Sequence, residues 1–388
     1  MIDFKTTSLE ELLNHKTMYY DKIDFSIVKK SWDILSSNIK IPYVIHIVGT
    51  NGKGSTGRFL AYYLNEKSFK TLHYSSPHIL KFNERIWING KDSSDDELIF
   101  AHKKIQKLLD LELLEKLTYF EYTTLLAIVL SDNLDYLVLE AGLGGEFDAT
   151  NVVPNDLSLI TTIDLDHQSF LGNKIEEIAR TKMRSVDNKM LIGYQIHDEV
   201  YRTSKIVKKE LKEEFNRDIL IQNVKEFDTY KLNKKFASYL KTNLHLVIEC
   251  LNELNIEVDL KIFDEMVLFG RCQKFAENIT IDVGHNPLAA RVIAKEFENK
   301  RIHLIYNSYE DKDYKKVLTI LKPIIRQITI LDIDDKRIVD KNNLLEICKN
   351  LNIMVTKLEK INKNDEYLVF GSFLVVEKFV KDMRVNEK

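Results

Sequence analysis

The first strongly apolar stretch of the chain covers residues 43–48, and glycines follow it at once. Four of these six residues are β-branched, which is typical of a buried strand, and a turn of small residues, GTNGKGST, comes next. Apolar side chains at Phe59, Leu60 and Leu64 continue the segment. The pattern predicts a strand, a glycine-rich loop and the beginning of a helix.

Apolar patterning predicts further elements before and after this segment. They are a helix capped by Ser8, a helix over 25–35, a strand over 71–75, a loop and short hairpin over 75–90, one long helix from Ser94 to about Lys116, a buried helix over 118–130, strands over 135–140 and 157–163, and helices over 174–183 and 201–218. The last of these is dense in lysine and glutamate, so we expect it to be a solvated surface helix.

Strands and helices alternate in the last third of the chain. Strands are predicted over 279–283, 302–306, 328–331 and 367–370, with helices after Asn286, Asp311 and Asn342 and at the C-terminal end. Such alternation indicates a separate parallel α/β domain, and a boundary falls within 268–275. The predicted fold class is α/β, with a P-loop-type ATPase domain over residues 1–267 that has a mostly parallel sheet, and a smaller Rossmann-like domain over 268–388.

Composition narrows the function classes. A chain of 388 residues is too long for one ordinary core, and its net charge of −3 gives no global basic field that would recruit nucleic acid. The cysteines Cys250, Cys272 and Cys348 are widely spaced, so they indicate neither a disulfide framework nor a zinc site. No run approaches the ~18 apolar residues of a membrane span. We expect a cytoplasmic monomer that binds neither nucleic acid nor membranes.

The glycine-rich loop has the composition of a phosphate-binding site. Its backbone N–H groups would point into one concavity at the positive end of the helix dipole, with the Lys53 ammonium beside them. It departs from the pattern GxxxxGK[ST] because Gly54 separates Lys53 from Ser55. The alternative is a glycine-rich turn without a ligand. The residues predicted to bind ATP here are Gly49, Thr50, Asn51, Gly52, Lys53, Gly54, Ser55 and Thr56.

Glu140 is the strongest metal-ligand candidate in the chain. It ends a predicted buried strand and is followed by AGLGG. Open α/β sheets place their ligands at the carboxyl ends of strands, and a carboxylate there can hold Mg²⁺ against nucleotide phosphates. The sequence therefore predicts that Glu140 binds a divalent cation.

Several motifs resemble folylpolyglutamate synthase and dihydrofolate synthase, the folate branch of the Mur ligase family. They are GTNGKGST, SPHILKFNERIWING from Ser76, TYFE from Thr118, EAGLGGEFDATN from Glu140 and ITTIDLDHQSFLG from Ile160. The resemblance implies that the hydroxyl groups of Ser55 and Ser76, together with Glu140, bind magnesium, and that His167 binds a second magnesium ion. It also implies a substrate site formed by Ser76, Pro77, His78, Thr118, Phe120, Asp148, Ala149 and Ser372.

The resemblance continues in the second half of the chain, with departures. IARTKMRS stands where the family usually reads I-A-x-E-K-A-G-I, which aligns Lys182 with a lysine that is carbamylated in many Mur-type ligases. Glu146 stands where many members have arginine, and Phe269 replaces a proline. Asn243 resembles an asparagine near adenine, and an N-terminal helix cap is the alternative. Further implied roles are Arg271 on ATP phosphates, Asp282 on ribose hydroxyls, and His285 and Ser372 near glutamate. The alternative for each of these residues is a structural role in a turn or a helix cap.

The resemblance implies an ATP-dependent ligase that joins L-glutamate to a pterin carboxylate through an acyl phosphate. The expected substrates are ATP, L-glutamate and dihydropteroate or reduced folates, with Mg²⁺ as cofactor. The implied catalytic residues are Lys53, Glu140, His167, Lys182 and His285. Two alternatives are another Mur-type amino-acid ligase, although the residues before Tyr43 leave no space for the UDP-binding domain of the cell-wall enzymes, and a nucleotide-binding module without ligase activity.

Overall fold

A computed structural model describes residues 3–17, 24–224, 232 and 235–386. The chain divides into two compact units, Met1–Lys234 with Leu240–Met266, and Lys235–Tyr239 with Val267–Lys388. The short segment 235–239 thus belongs to the second unit, which no pattern in the sequence indicates. No helix in the described ranges combines the length and apolarity that crossing a membrane requires.

The first unit contains an eight-stranded sheet and its covering helices. The helices are α1 Leu9–His15, α2 Phe25–Leu35, α3 Lys53–Glu66, α4 Asp95–Leu108, α5 Leu111–Lys116, α6 Tyr119–Leu130, α7 Gln168–Leu171, α8 Ile175–Met183, α9 Asp198–Phe215 and α10 Ser238–Glu253, of which the first two residues belong to the second unit. The strands are β1 Tyr43–Val48, β2 Thr71–Tyr74, β3 Ile86–Ile88, β4 Lys91–Asp92, β5 Tyr136–Glu140, β6 Leu157–Ile160, β7 Lys189–Ile192 and β8 Leu220–Asn223.

Strand β1 lies near the centre of this sheet. The strand order is β4-β3-β2-β5-β1-β6-β7-β8, and β1 pairs in parallel with both β5 and β6. Strands β3 and β4 pair antiparallel at one edge, where Asn89 and Gly90 both have positive φ and form the hairpin turn. The carboxyl ends of β1, β5 and β6 therefore meet at one edge of the sheet, which is where ligands of open α/β sheets bind.

Apolar side chains cover both faces of the sheet. Val44, Leu139 and Ile160 are packed under helices on one face, and the alternating positions Ile45 and Ile47 are equally inaccessible to solvent. Strands buried on both faces read as continuous apolar runs, which explains why β1 and β5 are recognisable in the sequence.

Several predicted elements end earlier than expected, among them one long helix and one strand of the first sheet. The single helix predicted from Ser94 to Lys116 is two helices, α4 and α5, because the chain becomes extended at Leu109 and Asp110 caps a new helix by accepting a hydrogen bond from the N–H of Leu113 (2.8 Å). The strand predicted over 157–163 ends at Ile160. The residues beyond it form the irregular segment that contacts the glycine-rich loop.

The second unit is a smaller α/β layer structure. Its strands are β9 Gln273–Ala276, β10 Ile279–Ile281, β11 Ile302–Tyr306, β12 Ile325–Ile330, β13 Met354–Val355 and β14 Tyr367–Phe370, and its helices are α11 Pro287–Glu296, α12 Tyr314–Leu321, α13 Lys341–Asn350 and α14 Phe373–Asn386. The strand order is β13-β12-β11-β14-β10-β9, parallel except for β9. The two parallel-dominated sheets confirm the predicted α/β fold class.

Candidate functional site

The glycine-rich loop is fastened to the segment that follows β6. The backbone N–H groups of Thr50 and Asn51 both donate to the carbonyl of Thr162, at 2.9 and 3.2 Å. The Thr50 hydroxyl donates to the carbonyl of Asp164 (2.9 Å) and accepts from the N–H of Asp164 (3.1 Å). A Cβ on Gly49 would lie 1.9 Å from Oγ1 of Thr161, which leaves no room for another residue at that position.

The first turn of α3 carries the predicted phosphate-binding side chains. Lys53 is the first residue of the helix, and its Nζ donates to the carbonyls of Gly49 (3.2 Å) and Thr50 (3.4 Å), which holds the ammonium over the loop. Ser55 is buried, and its hydroxyl donates to the carbonyl of Gly52 at 3.1 Å. Gly54 lies between them, and Thr56 is completely buried behind them. The loop and helix have the arrangement that binds phosphate groups.

Asn243 lies against this loop. It is an interior residue of α10, so the alternative prediction of an N-terminal cap is wrong. Its Nδ2 donates to Oγ of Ser55 at 2.8 Å, and a Cβ on Gly52 would lie 2.6 Å from its Oδ1. Gly52 also has φ +92°, a left-handed conformation that favours glycine. The predicted contact of Asn243 with adenine stays a prediction.

Glu140 ends β5 directly beside the strand that leads into the loop. Its Cα pairs in register with that of Ile47 in β1, and only 6% of its surface is exposed. The N–H of Ser76 donates to Oε2 of Glu140 at 3.2 Å, and the Ser76–Pro77 peptide bond is cis. The structure therefore brings together Glu140 and Ser76, two of the predicted magnesium ligands.

The rest of the predicted substrate loop is held by its own polar residues. Nδ1 of His78 accepts from Nε of Arg85 at 2.9 Å, and the Arg85 guanidinium lies 5.2 Å from the ring centroid of Tyr119. The Glu84 carboxylate accepts from three consecutive backbone N–H groups, at residues 79–81. These contacts fix the course of the chain between β2 and β3.

Thr118 and Phe120 stand at the beginning of α6. Thr118 is the N-cap and exchanges two hydrogen bonds with Glu121, which is a structural role; its predicted contact with the pterin stays a prediction. The Phe120 ring lies 2.6 Å from the position that a Cβ on Gly142 would take, which places the ring against the loop after β5. Both residues are only partly buried.

The Asp148 carboxylate organises that loop. Asp148 is buried and accepts hydrogen bonds from the N–H of Leu143 (2.7 Å) and from the N–H (3.0 Å) and hydroxyl (2.6 Å) of Thr150. Burial raises the pKa of Asp148, while the hydrogen bonds from Thr150 oppose that effect. Ala149 follows it at the beginning of a short 3₁₀ turn and is also buried.

His46 extends this network into the central strand, and sequence reasoning did not select it. Its Nε2 lies 2.8 Å from Oγ1 of Thr150, and burial lowers the pKa of His46 to about 4, so the ring is neutral. Because the Thr150 hydroxyl donates its single proton to Asp148, Nε2 of His46 must be the donor. The available signal was a histidine inside an otherwise apolar strand.

Lys182 is a buried lysine near other charged groups of the site. Burial, together with the nearby Lys53 ammonium, lowers the pKa of Lys182 to about 7, although the carboxylates of Asp166 and Asp148 oppose the shift. Only 5% of its surface is exposed. A lysine in this state is a nucleophilic neutral amine for a substantial fraction of the time at neutral pH.

His167 stands at the surface. It has φ +48°, precedes α7, and its side chain is 39% exposed, with Nε2 3.9 Å from Oδ2 of Asp166. The neighbouring Asp164 is buried and lies 3.1 Å from Nε2 of His197. Asp164 and Asp166 are site carboxylates that the sequence analysis did not select, although both lie in the segment it recognised.

In the second unit, Asp282 is a buried carboxylate with three donors. The hydroxyl of Tyr239 (2.7 Å) and the N–H of Cys272 (2.8 Å) donate to Oδ2, and the N–H of Gly284 (2.7 Å) donates to Oδ1. Burial raises the pKa of Asp282, and the Tyr239 hydroxyl is the foremost group that opposes the rise. Asp282 thereby anchors the segment 235–239 to this unit, and its predicted contact with ribose stays a prediction.

Cationic and aromatic side chains gather at the carboxyl ends of β10, β11 and β14. The guanidinium of Arg271 lies 5.2 Å from the ring centroid of Phe373, and the ring of His285 lies 6.3 Å from those of both Phe373 and Tyr309. The guanidinium of Arg337 lies 5.3 Å from the Tyr309 ring. The structure brings Arg271 and His285 together, and it adds three residues that sequence reasoning missed.

Ser372 lies between β14 and α14 and is completely buried. Its hydroxyl accepts from the N–H of Val375 at 3.2 Å, which is the contact of a helix N-cap. The structure thus gives Ser372 a helix-capping role, and its predicted contact with glutamate stays a prediction.

Comparison with known proteins gives one consistent result. No protein-family model matches the chain. The dihydrofolate synthase/folylpolyglutamate synthase of Haemophilus influenzae is 30% identical over 429 aligned residues, covering 96% of this chain and 97% of the relative. The crystal structure of Helicobacter pylori folylpolyglutamate synthetase is 35% identical and superimposes with a TM-score of 0.74 over 98% of both chains.

A second solved structure shows the same fold at lower identity. It is a bifunctional folylpolyglutamate synthase/dihydrofolate synthase with Mn, AMPPNP and L-glutamate bound, which is 23% identical and has a TM-score of 0.82 over 98% of this chain and 99% of that chain. The sequence similarity covers almost the whole chain. It agrees with the geometry of the site, in which the glycine-rich loop follows β1 and Glu140 ends the adjacent strand β5. The chain therefore belongs to the dihydrofolate synthase/folylpolyglutamate synthase family of ATP-dependent ligases.

Proposed function

We propose that this protein joins L-glutamate to the carboxylate of a pterin substrate, with ATP as the energy source, and releases ADP and phosphate. The substrate would be dihydropteroate, which gives dihydrofolate, a reduced folate, which gives a folylpolyglutamate, or both. The observation that carries the proposal is the phosphate loop at the start of α3, with the buried carboxylate of Glu140 on the adjacent strand.

The chemistry requires activation of a carboxylate. An oxygen of the pterin carboxylate attacks the γ-phosphorus of ATP, ADP leaves, and the resulting acyl phosphate is attacked by the glutamate amine, which loses a proton as phosphate leaves. Negative charge develops on the transferred phosphoryl oxygens, where the Lys53 ammonium and the backbone N–H groups at the start of α3 stabilise it. Exclusion of water would protect the acyl phosphate from hydrolysis.

A divalent cation fits the oxygen donors of the first unit. The described residues include no group of three or more His, Cys, Asp or Glu side chains arranged to hold a metal by themselves. Mg²⁺ commonly takes one or two protein oxygens and fills its shell with phosphate and water, which suits Ser55 and Glu140 with Ser76 close by. We propose Mg²⁺, which would neutralise phosphate charge when bound; the relative described above contains Mn. The predicted role of His167 as a ligand of a second magnesium ion is retained in this proposal.

We propose that Lys182 is carbamylated. Its neutral amine would attack CO₂, forming an N–C bond and losing a proton to give an anionic carbamate. Burial and the lowered pKa of about 7 support this reaction, because the neutral amine is the nucleophile. The carbamate would lie near the Lys53 ammonium, whose charge contributes to the lowered pKa of Lys182.

The pterin would bind near the loop after β5, with Thr118, Phe120, Asp148 and Ala149. Packing of Phe120 against Gly142 supports this location, since an aromatic ring beside that loop offers an apolar surface to a flat heterocycle. For Asp148 we propose an indirect role through the shape of the loop. In the second unit, Arg271, Asp282, His285 and Ser372 are proposed for ATP and glutamate, in a protein that works as a cytoplasmic monomer.

The experiment is an ADP-release assay on the purified protein with ATP, Mg²⁺, glutamate and either dihydropteroate or tetrahydrofolate. Steady turnover should require both glutamate and a pterin acid, and mass spectrometry should find the product heavier by one glutamyl residue. ADP release that is independent of both would identify a simple ATPase and refute the ligase. Turnover with only one of the two pterin acids would show which activity the protein has, dihydrofolate synthase with dihydropteroate or folylpolyglutamate synthase with tetrahydrofolate.

A further inference from the structure

The hydroxyl of Ser55, a proposed cation ligand, is held by a residue from a distant part of the sequence. Asn243 lies 188 positions further along the chain, and its Nδ2 donates to Oγ of Ser55 at 2.8 Å. Both side chains are buried, with 3% of Ser55 and 6% of Asn243 exposed. This contact lies wholly inside the first unit.

The hydrogen bonds of Ser55 leave one electron pair for a ligand. A serine hydroxyl has one proton and two acceptor positions. The proton is donated to the carbonyl of Gly52 (3.1 Å), and one acceptor position receives the N–H of Asn243. The remaining lone pair of Oγ then has a fixed direction, because two hydrogen bonds define the orientation of the hydroxyl.

The close approach of Gly52 to Asn243 shows that the Asn243 side chain has little free space beside the loop. A Cβ on Gly52 would lie 2.6 Å from Oδ1 and 3.0 Å from Nδ2 of Asn243. The amide thus packs on the loop backbone with no space between them, and it contacts the loop at both its turn and its helix start.

We infer that Asn243 is a positioning residue for the cation: its amide fixes the Ser55 hydroxyl so that the remaining lone pair of Oγ is ready to bind Mg²⁺ of the metal–nucleotide complex. The inference rests on the proposed function. It differs from the predicted adenine contact because it makes Asn243 act through Ser55, and its effect depends on the metal.

The test is calorimetric binding of ADP to the full chain, once with Mg²⁺ and once with EDTA, for wild type, Asn243→Ala, Ser55→Ala and the double variant. Loss of a hydrogen bond in a buried site reduces affinity by about tenfold. We expect Asn243→Ala to weaken binding of Mg²⁺–ADP by about that factor and to leave metal-free ADP within about twofold. Adding Asn243→Ala to Ser55→Ala should have little further effect, because the shared interaction is already gone.

An adenine contact would give the opposite pattern. Asn243→Ala would then weaken ADP equally with Mg²⁺ and with EDTA, and its effect would be undiminished in the Ser55→Ala background; either result overturns the inference. Asn252→Ala, an exposed position on the same helix, is the matched control and should bind like wild type. Should Asn243→Ala fail to fold, Asn243→Leu removes the donor while retaining the volume.

The same measurements separate the inference from the proposed function. If wild type binds ADP equally with and without Mg²⁺, the proposed cation site fails. If wild type responds to Mg²⁺ but Asn243→Ala responds to the same extent, only the role of Asn243 fails.

Discussion

A single added methyl group at Gly52 should disturb the phosphate loop in two ways. Gly52 has φ +92°, and a left-handed backbone costs an L-residue about 1–2 kcal/mol. The new Cβ would also lie 2.6 Å from Oδ1 of Asn243, so the amide would have to move and lose its bond to Ser55, at about 1 kcal/mol. For Gly52→Ala we therefore expect a loss of about 2–3 kcal/mol in the free energy of unfolding.

Gly90 provides a matched control in the same unit. Its φ is +95°, close to that of Gly52, but the nearest atom to an added Cβ is Nδ2 of Asn65 at 3.3 Å. Gly90→Ala should have the backbone cost alone, about 1–2 kcal/mol. The difference between the two variants therefore measures the collision with Asn243.

Urea denaturation followed by tryptophan fluorescence measures this difference. The two tryptophans of the chain, Trp32 and Trp87, both lie in the first unit, so the signal reports on that unit. Gly52→Ala should also weaken binding of Mg²⁺–ADP about tenfold, whereas Gly90→Ala should bind like wild type. Equal losses of stability in the two variants, together with wild-type nucleotide binding by Gly52→Ala, would refute the reasoning.

Three further substitutions test the proposed chemistry. Lys53→Ala should reduce turnover by about 100-fold or more, because the ammonium that stabilises phosphoryl charge is lost. Its unfolding curve should be unchanged, because the hydrogen bonds described for Nζ go only to carbonyls of the loop. Near-normal turnover would contradict the proposed role of Lys53. Glu140→Gln retains an oxygen acceptor for the N–H of Ser76 but removes the charge, so turnover should be lost while metal-free ADP still binds; a variant that turns over normally with Mg²⁺ would exclude Glu140 as a ligand. In CO₂-free buffer, turnover should fall, and added bicarbonate should restore it more completely at pH 8 than at pH 6. The reason is that the amine of Lys182 has a pKa of about 7 and is mostly neutral only at the higher pH. Lys182→Ala should show no bicarbonate response, and wild-type turnover in that variant would exclude the carbamate.

The parts of the fold that follow from local pattern could be predicted. Apart from His46, the residues of β1 are apolar on both faces, and glycines and small residues follow it. The beginning of α3 can therefore be predicted from about a dozen consecutive positions. The break between α4 and α5 was missed because apolar residues continue through it. The chain becomes extended at Leu109 and Asp110 caps the next helix by accepting a hydrogen bond from the N–H of Leu113, and apolar periodicity carries no information about such a cap.

The contacts that shape the site depend on pairs far apart in sequence. Thr50 bonds to Asp164, Asn243 bonds to Ser55, and Thr150 joins His46 to Asp148. Each partner alone is an ordinary polar residue, and only the folded chain shows which pairs meet. Motif resemblance locates most of these segments, but it does not indicate which side chains contact the ligand and which hold the loop.

Two differences from the family pattern, at Glu146 and Arg184, illustrate this limit. In sequence, Glu146 replaces an arginine and reverses a charge beside the predicted substrate site, while Arg184 stands at a glycine of the family pattern. In the structure Nε of Arg184 bonds to the Glu146 carboxylate at 2.8 Å, and the guanidinium, which is only 6% exposed, also bonds to Glu210 and Glu214. Because the reversed charge is paired inside the protein, Glu146 presents much less negative potential to a substrate than its sequence position suggests. Arg184, at the end of α8, thereby connects the loop that carries Glu146 to Glu210 and Glu214 of α9.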